Sequence, residues 1–320
     1  MKKVKKRSII QYIVLMIILF TTVSYGNMIL DVKPQVIESP TDQEIIEMYS
    51  KRNNKNSVCQ TRNYTPTFYN SNVNNNGSYD MFKIIGSTDE RTAVSEINRY
   101  RFPYTSIGYL DIEWENKEPS RGTGVLIGDN IVLTAGHNIY DIVNNEPALS
   151  VVFYPGRWSN MGTGMKPYGF ATGINYYYQE FRDNVDLSTE TIDAAGYDWG
   201  IIVLDRNIGN DVGYMGVNYY SDYLELRNKN VRITGYPTNI NNNTSLTMFN
   251  QYESTGNIAG VTDEAISYTI DTSGGQSGSP VYELNNYIVG VHNFSGNTVN
   301  YGKRVDDLVY YWCDFIIRNY

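Results

Sequence analysis

The chain has 320 residues and a formal net charge of −8, with 41% hydrophobic and 19% charged residues, a composition that supports a substantial globular core in one large or two smaller domains. Its first 83 residues carry 11 Lys or Arg against 6 Asp or Glu, which leaves 15 against 28 in the remainder. So acidic a body excludes nucleic acid as a partner, because that needs a basic face, and it requires any acidic substrate to be held by a local pocket against the overall field.

Lys2, Lys3, Lys5, Lys6 and Arg7 precede an apolar run from Ile13 to Phe20, and Ser24-Tyr25-Gly26 puts small residues where a signal peptidase reads. Residues 1–26 are therefore expected to be a signal peptide and the protein to be secreted and extracellular. The alternative, an uncleaved anchor, is opposed by Thr21, Thr22 and Ser24, which dilute a stretch that would need about 20 apolar residues. No later segment is long and apolar enough to span a membrane, so no stable membrane association is expected. Residues 27–83 are polar and include the run Asn70-Ser71-Asn72-Val73-Asn74-Asn75-Asn76-Gly77. Such a segment buries little on its own and reads as a propeptide. Lys83-Ile84-Ile85-Gly86 follows as a processing point for a separate activating protease; an ordinary linker is the simpler alternative.

From residue 84 to residue 320 the pattern is one of short strands and turns. Strands are expected at Ile107 to Trp114, at Gly124 to Ile127 and Ile131 to Leu133 as a hairpin around Gly128-Asp129-Asn130, and at Ser150 to Tyr154. More are expected at Trp199 to Leu204, Val231 to Thr234, Ala265 to Ile270, Pro280 to Glu283 and Tyr287 to His292. Many short strands without helical periods between them indicate an all-β barrel or sandwich. Only the end is helical: Val305, Leu308, Val309, Trp312, Phe315 and Ile316 recur at helical spacing. The two cysteines, Cys59 and Cys313, are too few for a disulfide framework, and Cys313 falls in the helical pattern as a buried, inert thiol. Zinc-type and calcium-loop spacings are both absent, so no metal or cofactor is expected, and the protein is expected to act as a monomer.

The chain has only two histidines. His137 closes Thr134-Ala135-Gly136-His137, and His292 follows Ser277 by fifteen residues, with Ser277 set in Gly274-Gly275-Gln276-Ser277-Gly278-Ser279-Pro280. Serine is a weak nucleophile until a base takes its proton, and imidazole does so best when a buried carboxylate orients it. Asp198, which opens Asp198-Trp199-Gly200-Ile201-Ile202-Val203-Leu204, is the preferred acid; Asp193 and Asp205 compete with it. The resulting order His137, Asp198, Ser277 is that of one of the known convergent triads, whereas a nucleophile elbow would need glycine where Ser279 stands. The backbone N–H groups of Gly275 and Ser277 are the expected oxyanion hole.

Together with Ile84-Ile85-Gly86-Ser87, Tyr154-Pro155-Gly156-Arg157, Ile208-Gly209-Asn210, Val212-Gly213-Tyr214, Gly235-Tyr236-Pro237 and Asp271-Thr272-Ser273, these motifs resemble the secreted bacterial glutamyl endopeptidases. Those are chymotrypsin-like serine proteases that cut after glutamate, and the likeness covers about residues 84–320. The resemblance implies two six-stranded β-barrels with the cleft between them, protein or peptide substrates, and the triad of His137, Asp198 and Ser277. It also implies that His292, with Thr272 five residues before the nucleophile, contacts the substrate carboxylate. The freed amine of Ile84 would then add a positive charge near the pocket. A histidine satisfied within the core is the plain alternative for His292. Asp271, six residues before Ser277, points the other way, to cleavage after Arg or Lys as in trypsin-like enzymes. A catalytically silent binding protein on the same fold, or a narrow-specificity toxin protease, remains a further alternative.

Overall fold

The computed structural model describes residues 84–85, 88–141, 144–160, 163–179, 192–240, 249–296 and 298–320. The expected signal peptide and propeptide, with Cys59 and Lys83, lie outside the described residues.

Six strands form the first barrel: β1 (Ile107–Glu113), β2 (Ser120–Leu126), β3 (Ile131–Thr134), β4 (Ser150–Pro155), β5 (Ala171–Tyr178) and β6 (Gly200–Leu204). They close antiparallel in the order β5-β6-β3-β2-β1-β4. Side chains alternate between two destinations, as the period of a strand requires. Leu110 and Ile112 of β1, with Ile202 and Leu204 of β6, pack into the barrel with Leu126, Val132 and Phe153. Ile107 and Tyr109, with Ile201 and Val203, point outward into a different cluster. Both faces of β6 are therefore buried, which is why its sequence is an unbroken apolar run.

The second barrel is built from β7 (Asn230–Gly235), β8 (Tyr252–Val261), β9 (Ala265–Tyr268), β10 (Pro280–Glu283), β11 (Tyr287–Ser295) and β12 (Asn300–Arg304). The order β8-β7-β10-β11-β12-β9 closes through β8–β9 pairing, and two short strands extend it: Thr92–Ala93 on β8, and Gly216–Val217 parallel to β11. Val231, Ile233, Ile258, Ile266, Tyr268, Val281 and Val289 fill its interior. The outward cluster of the first barrel continues across the seam into Tyr236, Tyr282 and Val291, then into the helix α1 (Asp307–Asn319). Val309, Trp312, Cys313 and Ile316 are the buried stripe of α1; Leu308 and Phe315, expected on that face, are only partly buried. Burial pushes the Cys313 thiol up, consistent with an inert core residue.

Three barrel strands depart from the expectations: Ala171–Tyr178, Tyr252–Val261 and Asn300–Arg304. Each carries glycine, asparagine, charge or tyrosine instead of a clean apolar alternation, and their pairing is set by neighbours distant in sequence.

Lys303 on β12 is 2% exposed and ion-paired to Asp306. The other oxygen of Asp306 accepts the N–H of Val309 at 2.9 Å, which caps α1. Asp306→Ala removes the cap and leaves a buried ammonium without its partner; the expected loss is about 3–5 kcal/mol in urea unfolding. Asp306→Asn, which keeps an acceptor for the cap, is expected to lose less.

Candidate active site

β3 ends at Thr134, and the chain turns through Ala135 into a tight helical turn at Gly136–Asn138 that carries His137. Thr134 lies opposite Gly200 in the β3–β6 ladder, so Asp198, two residues before β6, arrives beside His137. One carboxylate oxygen accepts the backbone N–H of His137 at 2.8 Å; the other lies 2.7 Å from its Nδ1. Asp198 is fully buried, whereas the imidazole keeps 31% of its side-chain exposure. A carboxylate taken out of water is costly unless donors surround it, and these two donors are what make the position tolerable. The approach needs Gly136: a Cβ there would stand 3.0 Å from the Asp198 oxygen and 3.1 Å from the Trp199 carbonyl. Burial lowers the basicity of His137, but the charge and hydrogen bond of Asp198 outweigh it and hold the imidazole above its ordinary value. With Nδ1 committed to Asp198, Nε2 is the nitrogen left to accept a proton.

Of the competing acids, Asp205 is not brought to this imidazole. Asp205 closes the far end of β6, exposed, and accepts the amide of Thr172. Asp193 falls in the helical turn Ile192–Ala195.

Ser277 is held from both barrels. Its carbonyl accepts the N–H of Thr123 and the side-chain amide of Asn138, each at 2.9 Å. The next residues belong to the second barrel: Gly278 donates to the carbonyl of His292 at 2.7 Å, and His292 donates to that of Ser279 at 2.9 Å. The serine turn thus sits against the residues that flank His137. Gly278 has φ +87°, and a Cβ on it would strike the Thr123 carbonyl at 2.0 Å.

Most amides of the turn are already used. Gln276 donates to Ser273, Gly278 to His292 and Ser279 to Gln276. Gly275 and Ser277 are left with N–H groups that have no partner among the described residues. Gly275 adopts φ +84°, and its carbonyl is pinned by the Thr123 hydroxyl at 2.8 Å, which orients the peptide.

His292 lies on β11 opposite Gly302 of β12 and is 2% exposed. Its Nδ1 is 2.8 Å from the hydroxyl of Tyr268 and 3.1 Å from the carbonyl of Tyr301. That hydroxyl gives its single hydrogen to the same carbonyl at 2.9 Å. A carbonyl only accepts, so the proton between Nδ1 and this pair belongs to Nδ1. Neutral His292 therefore presents Nε2 as a bare lone pair. Burial pushes its basicity down to about 4, with the neighbouring His137 pushing the same way. Asn300 holds the carbonyl of Ile270 at 2.8 Å, which ties the segment entering Thr272 to the strand beside His292. Thr272 is fully buried, and its hydroxyl has no hydrogen-bond partner among the described residues.

Asp271 is engaged by the start of the described chain. Its two oxygens accept the N–H groups of Ile85 at 2.7 Å and Glu90 at 2.8 Å. Ile84, expected to supply an amine near the pocket, is therefore one residue from an amide bound to Asp271.

Several residues at the site escaped the sequence reading. Asn138 grips both Thr134 and Ser277, and its only signal was its place after His137. Asn293 donates to the carbonyls of Ala195 and Asp198 at 2.8 and 3.0 Å, steadying the loop before β6 from the other barrel. Tyr268 carried no local signal at all.

Comparison with known proteins agrees with this architecture. The family model described as trypsin-like peptidase domain matches residues 122–291. A glutamyl endopeptidase of Bacillus licheniformis is 32% identical over 244 residues, covering 72% of this chain and 68% of that one. A Bacillus subtilis protein named extracellular metalloprotease is also 32% identical, over 72% and 70% of the two chains. Among the described residues no three His, Cys, Asp or Glu converge as a metal-ligand set, and both histidines have the partners given above. The solved structure of a Glu endopeptidase in complex with MPD shares 30% identity at a TM-score of 0.61, covering 74% of this chain and all of the other. The chain belongs to the trypsin-like peptidases and, among them, to the glutamyl endopeptidase family of chymotrypsin-like serine endopeptidases.

Proposed function

We propose that this enzyme hydrolyses peptide bonds on the carboxyl side of glutamate, with Ser277 as nucleophile, His137 as general base and acid, and Asp198 as the orienting carboxylate. The observation that carries the reading is the buried Asp198–His137 pair at 2.7 Å beside a serine turn with two unpartnered amides. In this mechanism His137 Nε2 takes the Ser277 proton as the hydroxyl attacks the scissile carbonyl. Asp198 stabilises the imidazolium, and the N–H groups of Gly275 and Ser277 hold the oxyanion. His137 then protonates the leaving amine, and water releases the acyl-enzyme by the same route.

Specificity for glutamate is supported by three features. Relatives named glutamyl endopeptidase share the family. Two polar groups, the Thr272 hydroxyl and His292 Nε2, have no hydrogen bond among the described residues and suit a substrate carboxylate. Asp271 has both oxygens occupied by backbone amides, which speaks against its selecting Arg or Lys. Because neutral His292 offers a lone pair, a glutamate carboxylate has to be accompanied by a proton on Nε2. A charge from the freed N-terminal amine of Ile84 would add to that attraction. Secretion, removal of residues 27–83 by another protease and action as a monomer complete the proposal. The leader-like residues 1–26 support secretion, and the Lys83-Ile84 junction supports removal of the segment before it.

A fluorophosphonate probe is expected to label the mature wild type and not Ser277→Ala; an unlabelled wild type would refute the serine mechanism. Asp198→Asn is expected to lower kcat by about 10⁴ through the wrong imidazole tautomer, with labelling slowed to match.

With only two histidines, imidazole NMR of Ser277→Ala separates them. One ring is expected to titrate above the ordinary 6.5 and the other near about 4. Asp198→Asn should bring the first down clearly and move the second less, because Asp198 is the smallest of the influences on His292.

Peptides differing only at the residue before the scissile bond are expected to rank Glu first, and a preference for Arg or Lys would overturn the assignment. The Glu-over-Gln ratio in kcat/KM should fall as pH rises, because the proton on Nε2 is lost. His292→Ala should abolish that ratio while leaving cleavage after Gln.

A further inference from the structure

The segment that leads into the first barrel enters the wall of the serine turn. Asp271 holds its backbone at Ile85 and Glu90, and the strand Thr92–Ala93 pairs with β8. Between these anchors Arg91 turns inward and is 6% exposed. Its Nε and Nη2 take both oxygens of Asp89, at 2.9 and 2.8 Å, which fixes the plane of the guanidinium. The remaining nitrogen, Nη1, donates to the Ser273 hydroxyl at 2.5 Å and to Gln276 Oε1 at 3.1 Å.

Gln276 stands between the two residues whose amides are unpartnered. It is fully buried, and its Oε1 also accepts the Ser273 N–H at 2.9 Å, while its Nε2 has no partner among the described residues. The side chain is thus held through its oxygen alone, and one of its two donors is Arg91. The Ser277 N–H lies in the peptide plane that follows Gln276, and the Gly275 N–H in the plane one residue before the peptide that joins Gly275 to Gln276. A displacement of the Gln276 backbone would move both away from a common point, and a Gln276 side chain locked in place opposes that displacement.

We propose that Arg91 is a positioning residue for the oxyanion turn: aimed by Asp89, it fixes Gln276 and thereby the two amides that flank it. It touches no substrate. Its contribution falls on the transition state, where negative charge develops on the carbonyl oxygen, and leaves ground-state binding unchanged. This inference rests on the serine-nucleophile reading above.

The test compares wild type, Arg91→Ala, Arg91→Lys, Gln276→Met and the double variant Arg91→Ala/Gln276→Met in the mature enzyme. The readouts are kcat and KM on one Glu-containing peptide, inhibition by a peptide boronate, and inhibition by a non-cleavable peptide of the same sequence. The boronate forms a tetrahedral adduct whose oxygen occupies the hole; the non-cleavable peptide does not. Loosening the hole, as against deleting a donor, is expected to lower kcat by about 10- to 100-fold in Arg91→Ala, with boronate affinity falling by the same factor. KM and the non-cleavable peptide should be unaffected. Arg91→Lys, which keeps the charge without the fork, should recover part of the loss. The double variant should be no worse than the poorer single one, because both act through one contact. If Arg91→Ala fails to fold, Gln276→Met carries the test with Arg91 still paired to Asp89. Unchanged kcat, equal losses for boronate and non-cleavable peptide, or additive losses in the double variant would overturn the proposal. A wild type that the fluorophosphonate labels, but whose variants behave as wild type, sinks this inference alone; an unlabelled wild type sinks the reading beneath it.

Discussion

A carboxylate with no access to water organises the molecule. Asp198 is tolerated at full burial because one oxygen meets a backbone amide and the other an imidazole, both from His137. That demand explains much of the surrounding design. It requires glycine at 136, the antiparallel register that sets Thr134 against Gly200, and a clamp on the carbonyls of Ala195 and Asp198 from Asn293 on the other barrel. The same arrangement leaves the imidazole basic and partly open, which is the condition for proton transfer near neutral pH.

The two histidines show how environment divides the work of one side chain. His137 gains a charged partner and is held above its ordinary basicity. His292 gains a phenol and a carbonyl, neither of them charged, and is driven down by burial. On the proposed reading, a buried neutral imidazole suits a pocket for an acid: the incoming carboxylate would supply the charge that makes protonation favourable. The acidic body of the chain opposes such a ligand at long range, so the attraction has to be local and short-ranged.

Much of the fold was legible because strands buried on both faces, such as Gly200–Leu204, are continuous apolar runs, and because α1 repeats at helical spacing. Asn300–Arg304 was not legible. Its Lys303 is buried only because Asp306, at the cap of the following helix, neutralises it. Tyr252–Val261 is long and polar yet pairs on both sides with strands that supply the apolar contacts. Asp271 is the instructive case at the site. Its position six residues before Ser277 suggests a selector of basic side chains. In the folded chain its oxygens accept amides from 186 and 181 residues upstream.

Short local patterns in the chain set out the candidate reacting groups and their order, because a nucleophile, a base and glycine-bearing turns each leave one: Thr134-Ala135-Gly136-His137, Asp198-Trp199-Gly200 and the run around Ser277. The all-β class was legible too, through many short strand-like runs separated by turns with no helical period between them. The partners of the polar groups came from the folded chain instead: Tyr268 with His292, Asn138 with Ser277, Asp271 with Ile85 and Glu90, Arg91 with Gln276. The physical reason is that a buried polar atom is satisfied by whichever donor the fold brings within about 3 Å, and strand pairing draws that donor from residues far apart in the chain.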